Sequence, residues 1–509
     1  MGFDKTFGDW SVGATLGGNR QRNITKQWAI KGGKTFVADG LWSSNNLANK
    51  NYQKSYQEYQ VNSVYATADL GWKNQVFLNL TGRNDWFSTL SPENNHYFYP
   101  SVTLSWVFSD SFKHPDWFTF GKLRASYASA SNGTSPYQNY LTYQIRDYTV
   151  NGQQVATVNT DIYPNTELKP VKISEYEVGL NLAFLNNRLS FDMAYYVKNT
   201  KDDIAKVSTS TASGYSARIQ NVGEIRNNGF EFMVNAVPVH TKDFNWNTTF
   251  NIAYNDSEVK YLGEGVDRLA IEGAEARSGS VTVQNIVGSS YGELVGYKYK
   301  RTPDGQIVFK NGIAQREDEV SSLGNGVYKV TGGWSNQFTY KNFTLSCLID
   351  FKLGADIFSG TNYNLVSNGL HKKTLQGREN DGKGSIIGEG VRWDDATQKY
   401  VKNDVAVSAQ EYWQGIANNN IGEEFIYDAS FIKLRELSFG YTFPQSLLSK
   451  WKFIKELNVS LVGRNLWTIM KHTDNIDPES AYNNGNGQGL ELNGYPATRS
   501  FGFNVNLKF

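Results

Sequence analysis

The feature that most constrains this chain is a two-residue hydrophobic rhythm that recurs from one end to the other. In Val64, Ala66, Ala68, Leu70 and Trp72 every second residue is apolar, while Ser63, Tyr65, Thr67 and Asp69 between them are mostly polar. Successive side chains of a strand point to opposite faces, so this pattern builds a β-strand with one apolar and one polar side. A short Lys73-Asn74 turn follows, after which Val76, Leu78 and Leu80 alternate with Asn79, Thr81 and Arg83. The rhythm returns at 102–108, 123–127, 178–184 and 189–197, the last two joined by Leu185-Asn186-Asn187. It returns again at 227–237 with 244–255, at 333–341 with 343–353, and at 427–442, 455–468 and 498–509. About 14 to 16 strands are expected. Trp10, Val12, Ala14 and Leu16 mark the first of them, with an outer edge expected to lack a partner.

The connections differ in length. Short turns follow Trp72, Phe184 and Tyr340, whereas the segments 131–170, 256–330 and 354–425 are long and polar. Strands of about 10 residues, tight turns at one end and long loops at the other describe an outer-membrane barrel. The short turns are then expected to face the periplasm and the long segments the cell exterior, with Leu78 and Leu180 toward lipid and Asn79 and Asn181 toward the lumen. A mean hydropathy of −0.50 does not oppose this, because a barrel strand averages its lipid and lumen faces. Aromatic residues make up 14% of the chain, and Trp72, Trp106, Phe108, Phe184 and Trp467 fall at strand ends, where membrane interfaces favour them. A soluble β-sandwich would carry the same alternation, and a propeller would add a blade-length repeat, of which there is none. Lys and Arg number 50 against 49 Asp and Glu, so nothing in the charge favours a nucleic-acid partner. The single Cys347 excludes a disulfide framework. The opening MGFDKTFGDW has no basic start before an apolar core, so no signal peptide is read there.

At the other end Phe501, Phe503, Val505, Leu507 and Phe509 alternate with Gly502, Asn504, Asn506 and Lys508. This resembles the terminal strand read by the machinery that assembles outer-membrane barrels.

Several ordered motifs resemble the SusC/RagA-type TonB-dependent outer-membrane transporters. The run from Phe425 through Tyr427-Asp428-Ala429-Ser430-Phe431-Ile432-Lys433-Leu434-Arg435-Glu436 into Leu437-Ser438-Phe439-Gly440-Tyr441-Thr442-Phe443-Pro444 is similar to one signature. Gly463-Arg464-Asn465-Leu466-Trp467-Thr468, Asp477-Pro478-Glu479 and Tyr495-Pro496 are similar to others. Upstream, Thr81-Gly82-Arg83-Asn84-Asp85-Trp86, Tyr99-Pro100-Ser101-Val102 and the stretch from Asn221 to Glu231 follow in order. The resemblance implies an all-β fold, an antiparallel transmembrane barrel that is the C-terminal part of a 22-stranded transporter, with residues 1–509 as one barrel domain. It implies uptake of an oligosaccharide or peptide, a SusD-type surface lipoprotein, and a TonB complex acting through an N-terminal part, plug and TonB box not seen in this sequence. The location implied is the outer membrane of a Gram-negative cell. Other readings are a passive porin or adhesin barrel without TonB coupling, and a soluble β-rich glycan-binding protein.

Catalytic and metal chemistry finds little support. Gly377-Arg378-Glu379-Asn380-Asp381-Gly382-Lys383 copies the start of a phosphate-binding loop, but Gly384 stands where Ser or Thr should hold Mg²⁺, and the preceding residues are polar. His96, His114, His240, His371 and His472 are scattered. Cys347 shares parity with Leu345 and Ile349, as a small wall residue would. Asp202-Asp203 and Asp394-Asp395 could serve as a glycosidase pair or as cation ligands, but adjacent carboxylates on a strand point opposite ways and on loops they usually just solvate. Asp474, Asp477 and Glu479 offer either a Ca²⁺ site or a means of folding their loop. No catalytic role, metal or cofactor is therefore expected. The candidate substrate contacts are aromatic residues set among polar ones, Trp86, Phe87, Tyr97, Tyr412 and Trp413. Sugar rings stack on such faces and peptides pack against them; the alternative is that they pack loop on loop or belong to the interfacial girdle.

Overall fold

The computed structural model describes residues 1–31, 33, 35–159, 161–379, 384–449, 453–480 and 485–509. The chain divides into two compact units: Met1–Phe112, Lys122–Val178 and Tyr196–Arg226 make one, and Lys113–Gly121, Gly179–Tyr195 and Asn227–Phe509 the other.

A large antiparallel sheet dominates. Its strands are β1 (Gly2–Phe7), β2 (Trp10–Lys31), β3 (Asn51–Trp72), β4 (Val76–Phe87), β5 (His96–Val107), β6 (Phe118–Asn132), β7 (Val171–Phe184), β8 (Leu189–Lys201), β9 (Glu224–His240), β10 (Phe244–Tyr261), β11 (Val330–Tyr340), β12 (Phe343–Leu353), β13 (Phe431–Thr442), β14 (Glu456–Lys471) and β15 (Ser500–Lys508). Their hydrogen-bonded order is the order of the chain. Such a meander is what tight turns between alternating strands produce.

The turns follow the sequence closely. Lys73 and Asn74 both have positive φ, 53° and 55°, and the Gln75 N–H donates to Trp72 O at 2.9 Å. Left-handed residues at both centres match the right-handed twist of a hairpin, and Asn enters that region at low cost. Asn186 and Asn187 repeat the arrangement, with the Arg188 N–H on Leu185 O at 3.2 Å.

Register then aligns the apolar residues into rows. In the first unit Val12, Leu70, Leu78, Leu104 and Ala125 stand opposite one another across five strands, and the next row is Gly13, Asp69, Asn79, Thr103 and Ser126. In the second unit the row Trp246, Phe338, Leu345, Phe439, Leu461, Phe503 adjoins Asn245, Thr339, Thr344, Gly440, Ser460, Asn504 on the other face. The apolar rows are largely exposed: Phe439 is 49% accessible, Leu461 65% and Phe503 77%. In water such rows would be a liability; facing hydrocarbon they are the stable arrangement.

Two features depart from the expectation. Trp10 through Thr15 are paired with Gly2–Phe7, so the edge expected to be unpaired has a partner in β1. That strand is six residues long and mixes Phe3, Lys5 and Phe7 on one face, too short and too charged for its rhythm to be read. The second departure is a bulge in β13. Register shifts between Leu434 and Glu436, leaving Arg435 as an extra residue. A bulge resets side-chain parity, which is why Leu434 and then Leu437 and Phe439 can all lie on the apolar side.

The long connections are folded. In the second unit they hold the helices α1 (Gly360–Ser367) and α2 (Ala409–Asn418) and several small sheets, one of them built from Arg268–Glu275, Val281–Ile286, Glu293–Gly296 and Ser321–Asn325. Their core includes Val283, Leu294, Phe309, Phe358, Ile421 and Phe425, each at most 2% accessible. In the first unit Phe87, Leu90, Leu168 and Ile219 form a smaller core.

Candidate functional site

In the first unit, strand register places two rows on the polar face: Ser63, Asp85 and Tyr97, and beside them Tyr65, Arg83 and Tyr99. Arg83 Nε donates to Asp85 Oδ1 at 2.8 Å, and its Nη2 donates to Ser63 Oγ at 2.8 Å. The Tyr99 hydroxyl donates to the other oxygen of the buried Asp85. A buried carboxylate is tolerable only when its oxygens are matched in this way. Tyr97 stacks on Tyr99 with centroids 6.1 Å apart and planes 23° apart. Lys172 Nζ lies 5.9 Å from the Tyr97 centroid and 3.2 Å from Asp202 Oδ2. The result is a wall with fixed donors, a fixed charge pair and two aligned aromatic faces.

The sequence-selected aromatics take different places around it. Tyr97 belongs to the wall. Trp86 has the opposite parity and is exposed. Phe87 is buried against Leu90, Leu168 and Ile219. In the second unit Trp413 on α2 is buried in the connection core, and Tyr412 stacks on Phe309 at 6.5 Å and meets Trp413 edge-on at 5.0 Å. These two rings anchor α2, whose start is closed by reciprocal hydrogen bonds between Ser408 and Glu411.

The second unit also carries an ionic clasp that draws distant motifs together. Lys433 Nζ, on a side chain 5% accessible, lies 2.7 Å from Asp477 Oδ1 and 2.7 Å from Glu479 Oε2. Arg435 donates to Asp350 through Nε at 3.0 Å, to Asn465 Oδ1 at 3.0 Å and to Glu479 Oε2 at 2.8 Å. The Tyr328 hydroxyl reaches Pro478 O at 3.1 Å. Burial pushes the Glu479 carboxyl upward, but hydrogen bonds from Lys433 and Arg435 outweigh it and hold the group below the usual carboxylate range. Two acidic residues of the 474–479 loop are thus neutralised by protein cations, which is how that loop is folded against β12 and β13. Reading the sequence identified each motif and missed their meeting. The one available signal was that Lys433 and Arg435 stand two apart on a strand, a pair of cations upstream of the acidic Asp477 and Glu479.

The remaining candidates are local. The Asp394 carboxylate accepts from Thr397 Oγ1 at 2.6 Å within its own turn. Asp202 pairs with Lys172 as above, and Asp203 Oδ1 accepts the Ile204 N–H. His371 Nδ1 caps the turn at Lys372–Leu375. Of the phosphate-loop look-alike, Asn380 to Lys383 lie outside the described residues. Among the described residues no three His, Cys, Asp or Glu side chains are grouped to hold a metal ion.

Residues 2–466 match the family described as TonB dependent receptor-like, beta-barrel. The chain is 28% identical to TonB-dependent receptor P3 of Formosa agariphila over 542 residues, covering all of this chain and 51% of that protein. It is 25% identical to TonB-dependent receptor SusC of Bacteroides thetaiotaomicron, over 88% of this chain and 43% of SusC. Among solved structures, the RagAB peptide importer in its closed-closed state superposes with a TM-score of 0.77 at 20% identity, covering all of this chain and 55% of that one. The chain therefore spans about half the length of the relatives it matches. The family is one of outer-membrane receptors and transporters, not of enzymes. An antiparallel meander with apolar rows on one side, folded connections and a match from residue 2 to residue 466 together show that this chain belongs to the TonB-dependent receptor β-barrel family.

Proposed function

We propose that residues 1–509 form the barrel portion of a SusC/RagA-type transporter that imports an oligosaccharide or peptide across the outer membrane. The observation that carries this reading is the family match over residues 2–466. In the complete transporter a plug and TonB box, on residues additional to these, couple import to the TonB complex, and a SusD-type surface lipoprotein delivers substrate. The likeness to SusC and to the RagAB importer supports both partners. The stacked Tyr97 and Tyr99, beside the Arg83–Asp85 pair, supply aromatic faces and a fixed charge pair on the polar face. The short turns at Lys73-Asn74 and Asn186-Asn187 face the periplasm.

The test is uptake by cells producing the complete transporter, with and without a functional TonB complex. Radiolabelled neutral oligosaccharides and capped peptides are supplied separately. Uptake of one class that collapses without TonB is the expected result. Uptake that persists unchanged would overturn active transport and favour a passive porin. Affinity purification should recover a surface lipoprotein in stoichiometric amount.

A further inference from the structure

The apolar face of the first unit changes character at a fixed height. Trp10, Trp72 and Trp106 stand in one row across β2 to β5. Ten residues farther along each strand, Arg20, Asn62, Trp86 and His96 form another row on the same face. Ten strand residues span roughly 33 Å, or about 25 Å along the bilayer normal at a tilt of about 40°, which is the height of the apolar band of an outer-membrane barrel. Between the two rows no residue on this face of the four strands is charged. The row of Arg20 and Trp86 therefore lies where hydrocarbon gives way to headgroups. Exposed Phe98, one step below Trp86, completes an aromatic girdle there.

Past that row β4 and β5 end, and β2 and β3 continue alone to Lys31 and Asn51. On the face shared with Trp10 and Leu16 their sequence turns basic. Arg20, Arg22, Lys26 and Lys54 lie there, with Glu58 as the one acid among them. The two arginines are pinned from β3. Arg20 Nε donates to Gln60 Oε1 at 2.8 Å, and Arg22 Nε donates to Glu58 Oε1 at 2.5 Å. The Tyr56 hydroxyl donates to the other Glu58 oxygen, so both oxygens of that carboxylate are engaged. Lys26 Nζ lies 5.9 Å from the centroid of the Tyr56 ring. Each guanidinium is thus oriented through Nε, with its two Nη groups left to donate elsewhere. Two oriented forks two residues apart suit a phosphate, whose oxygens accept both arms of a fork.

We infer that Arg20, Arg22 and Lys26 bind the phosphate-bearing headgroup of an outer-leaflet glycolipid, its acyl chains lying on the uncharged rows below. Two observations choose this occupant. The basic face continues, strand by strand, the rows that face lipid, so a molecule seated on one meets the other. Its charge is complementary to phosphate, at the height where a headgroup phosphate stands. A soluble polyanion would match the charge and leave the apolar rows unused. The inference goes beyond import and rests on the proposed orientation, in which the Lys73-Asn74 turn faces the periplasm and Arg20 the cell exterior.

The experiment uses the complete transporter in a neutral maltoside detergent. Native mass spectrometry measures binding of an acylated glucosamine disaccharide bearing two phosphates, and of its phosphate-free counterpart. The proteins are the wild type, R20Q/R22Q, R20K/R22K and K73Q/K113Q, the last removing two cations at the other end of the strands. Arg20 and Arg22 are exposed, so their replacement leaves no buried gap, and heat-modifiable migration confirms that each variant is folded. The phosphorylated lipid should bind the wild type and K73Q/K113Q alike. Its affinity should fall about tenfold or more in R20Q/R22Q, and about threefold in R20K/R22K, which keeps the charge and loses the fork. The phosphate-free lipid should bind all four proteins equally weakly. Equal affinity of wild type and R20Q/R22Q for the phosphorylated lipid, equal affinity of the wild type for both lipids, or an equal loss in K73Q/K113Q would overturn the site. Displacement of the lipid by millimolar inorganic phosphate would make it a free-anion site and overturn the lipid. Orientation is read separately, from K54C in a C347S background, which an impermeant maleimide should label on intact cells. Labelling only after permeabilisation would overturn the outer-leaflet placement. Uptake that persists without TonB, with phosphate-dependent binding intact, removes active transport and leaves the lipid site.

Discussion

The sheet and its long connections solve the problem of apolar side chains in opposite ways. Across β10 to β15 the row from Trp246 to Phe503 leaves large rings uncovered, and Phe501 is 80% accessible. In the connections of the same unit Phe358, Phe425 and Leu490 are fully buried. The first arrangement suits a hydrocarbon solvent and the second suits water. One chain therefore carries both kinds of stability, and substitutions should report which solvent each residue meets.

The largest effect is expected in the connection core. Phe358→Ala should destabilise that region by about 3–5 kcal/mol, because a fully buried ring leaves a cavity that its neighbours Tyr363 and Phe425 cannot fill. Phe439→Ala, in an exposed row, should cost far less. Hydrogen exchange over residues 354–430 of the detergent-solubilised transporter measures the first, and the midpoint of heat modification the second. Similar losses at both positions would erase the contrast.

Lys433→Met tests the junction between the two regions. Removing the buried ammonium takes from Asp477 its cation and leaves Glu479 to Arg435 and Lys352, at a cost of about 3 kcal/mol. The clasp also has a pH signature. Glu479 is held below its ordinary value, so its contribution is complete above the unfolded pKa of about 4.3 and is lost as the pH falls through the lower folded value. Protease cleavage within 473–480 should therefore rise in acid below that range, and in the K433M variant should already be high at neutral pH. Cleavage independent of both would remove the clasp as the element holding this loop.

The lipid face itself is tested by Leu78→Arg and Leu180→Arg, each expected to cost about 2–4 kcal/mol near the bilayer midplane. Asn79→Arg should be mild, since Asn79 faces Asp69 across the hairpin, 2.5 Å from its carboxylate. Folding into lipid vesicles under urea measures the difference, and equal costs would overturn the parity assignment. The smallest effect is expected at Ser408→Ala, which removes one half of the capping box at the start of α2 and should cost about 1 kcal/mol. Exchange of the first amides of α2 should quicken while the sheet is unaffected.

The sequence alone determined the strands, because an alternation of period two needs no long-range information and Lys73-Asn74 and Asn186-Asn187 encode their turns locally. Where tight turns join neighbouring strands it determined their pairing as well, whereas across the long segments 131–170, 256–330 and 354–425 the neighbours were set by the assembled sheet. It also carried the family motifs. Phe87 and Trp413 show where that reading stopped. Each sits among polar residues in sequence, yet each is buried by groups far along the chain: Leu168 and Ile219 close over Phe87, and Phe309 and Ile386 share the core of Trp413. Tyr97 was selected as an aromatic among polar residues, and it is the strand His96–Val107, read from the sequence only from residue 102, that sets it on the polar wall. The bulge at Arg435 and the convergence of Lys433 with Asp477 and Glu479 were decided only by tertiary structure. Burial and ion pairing depend on which segments meet across tens of residues, and a local pattern holds no record of that meeting.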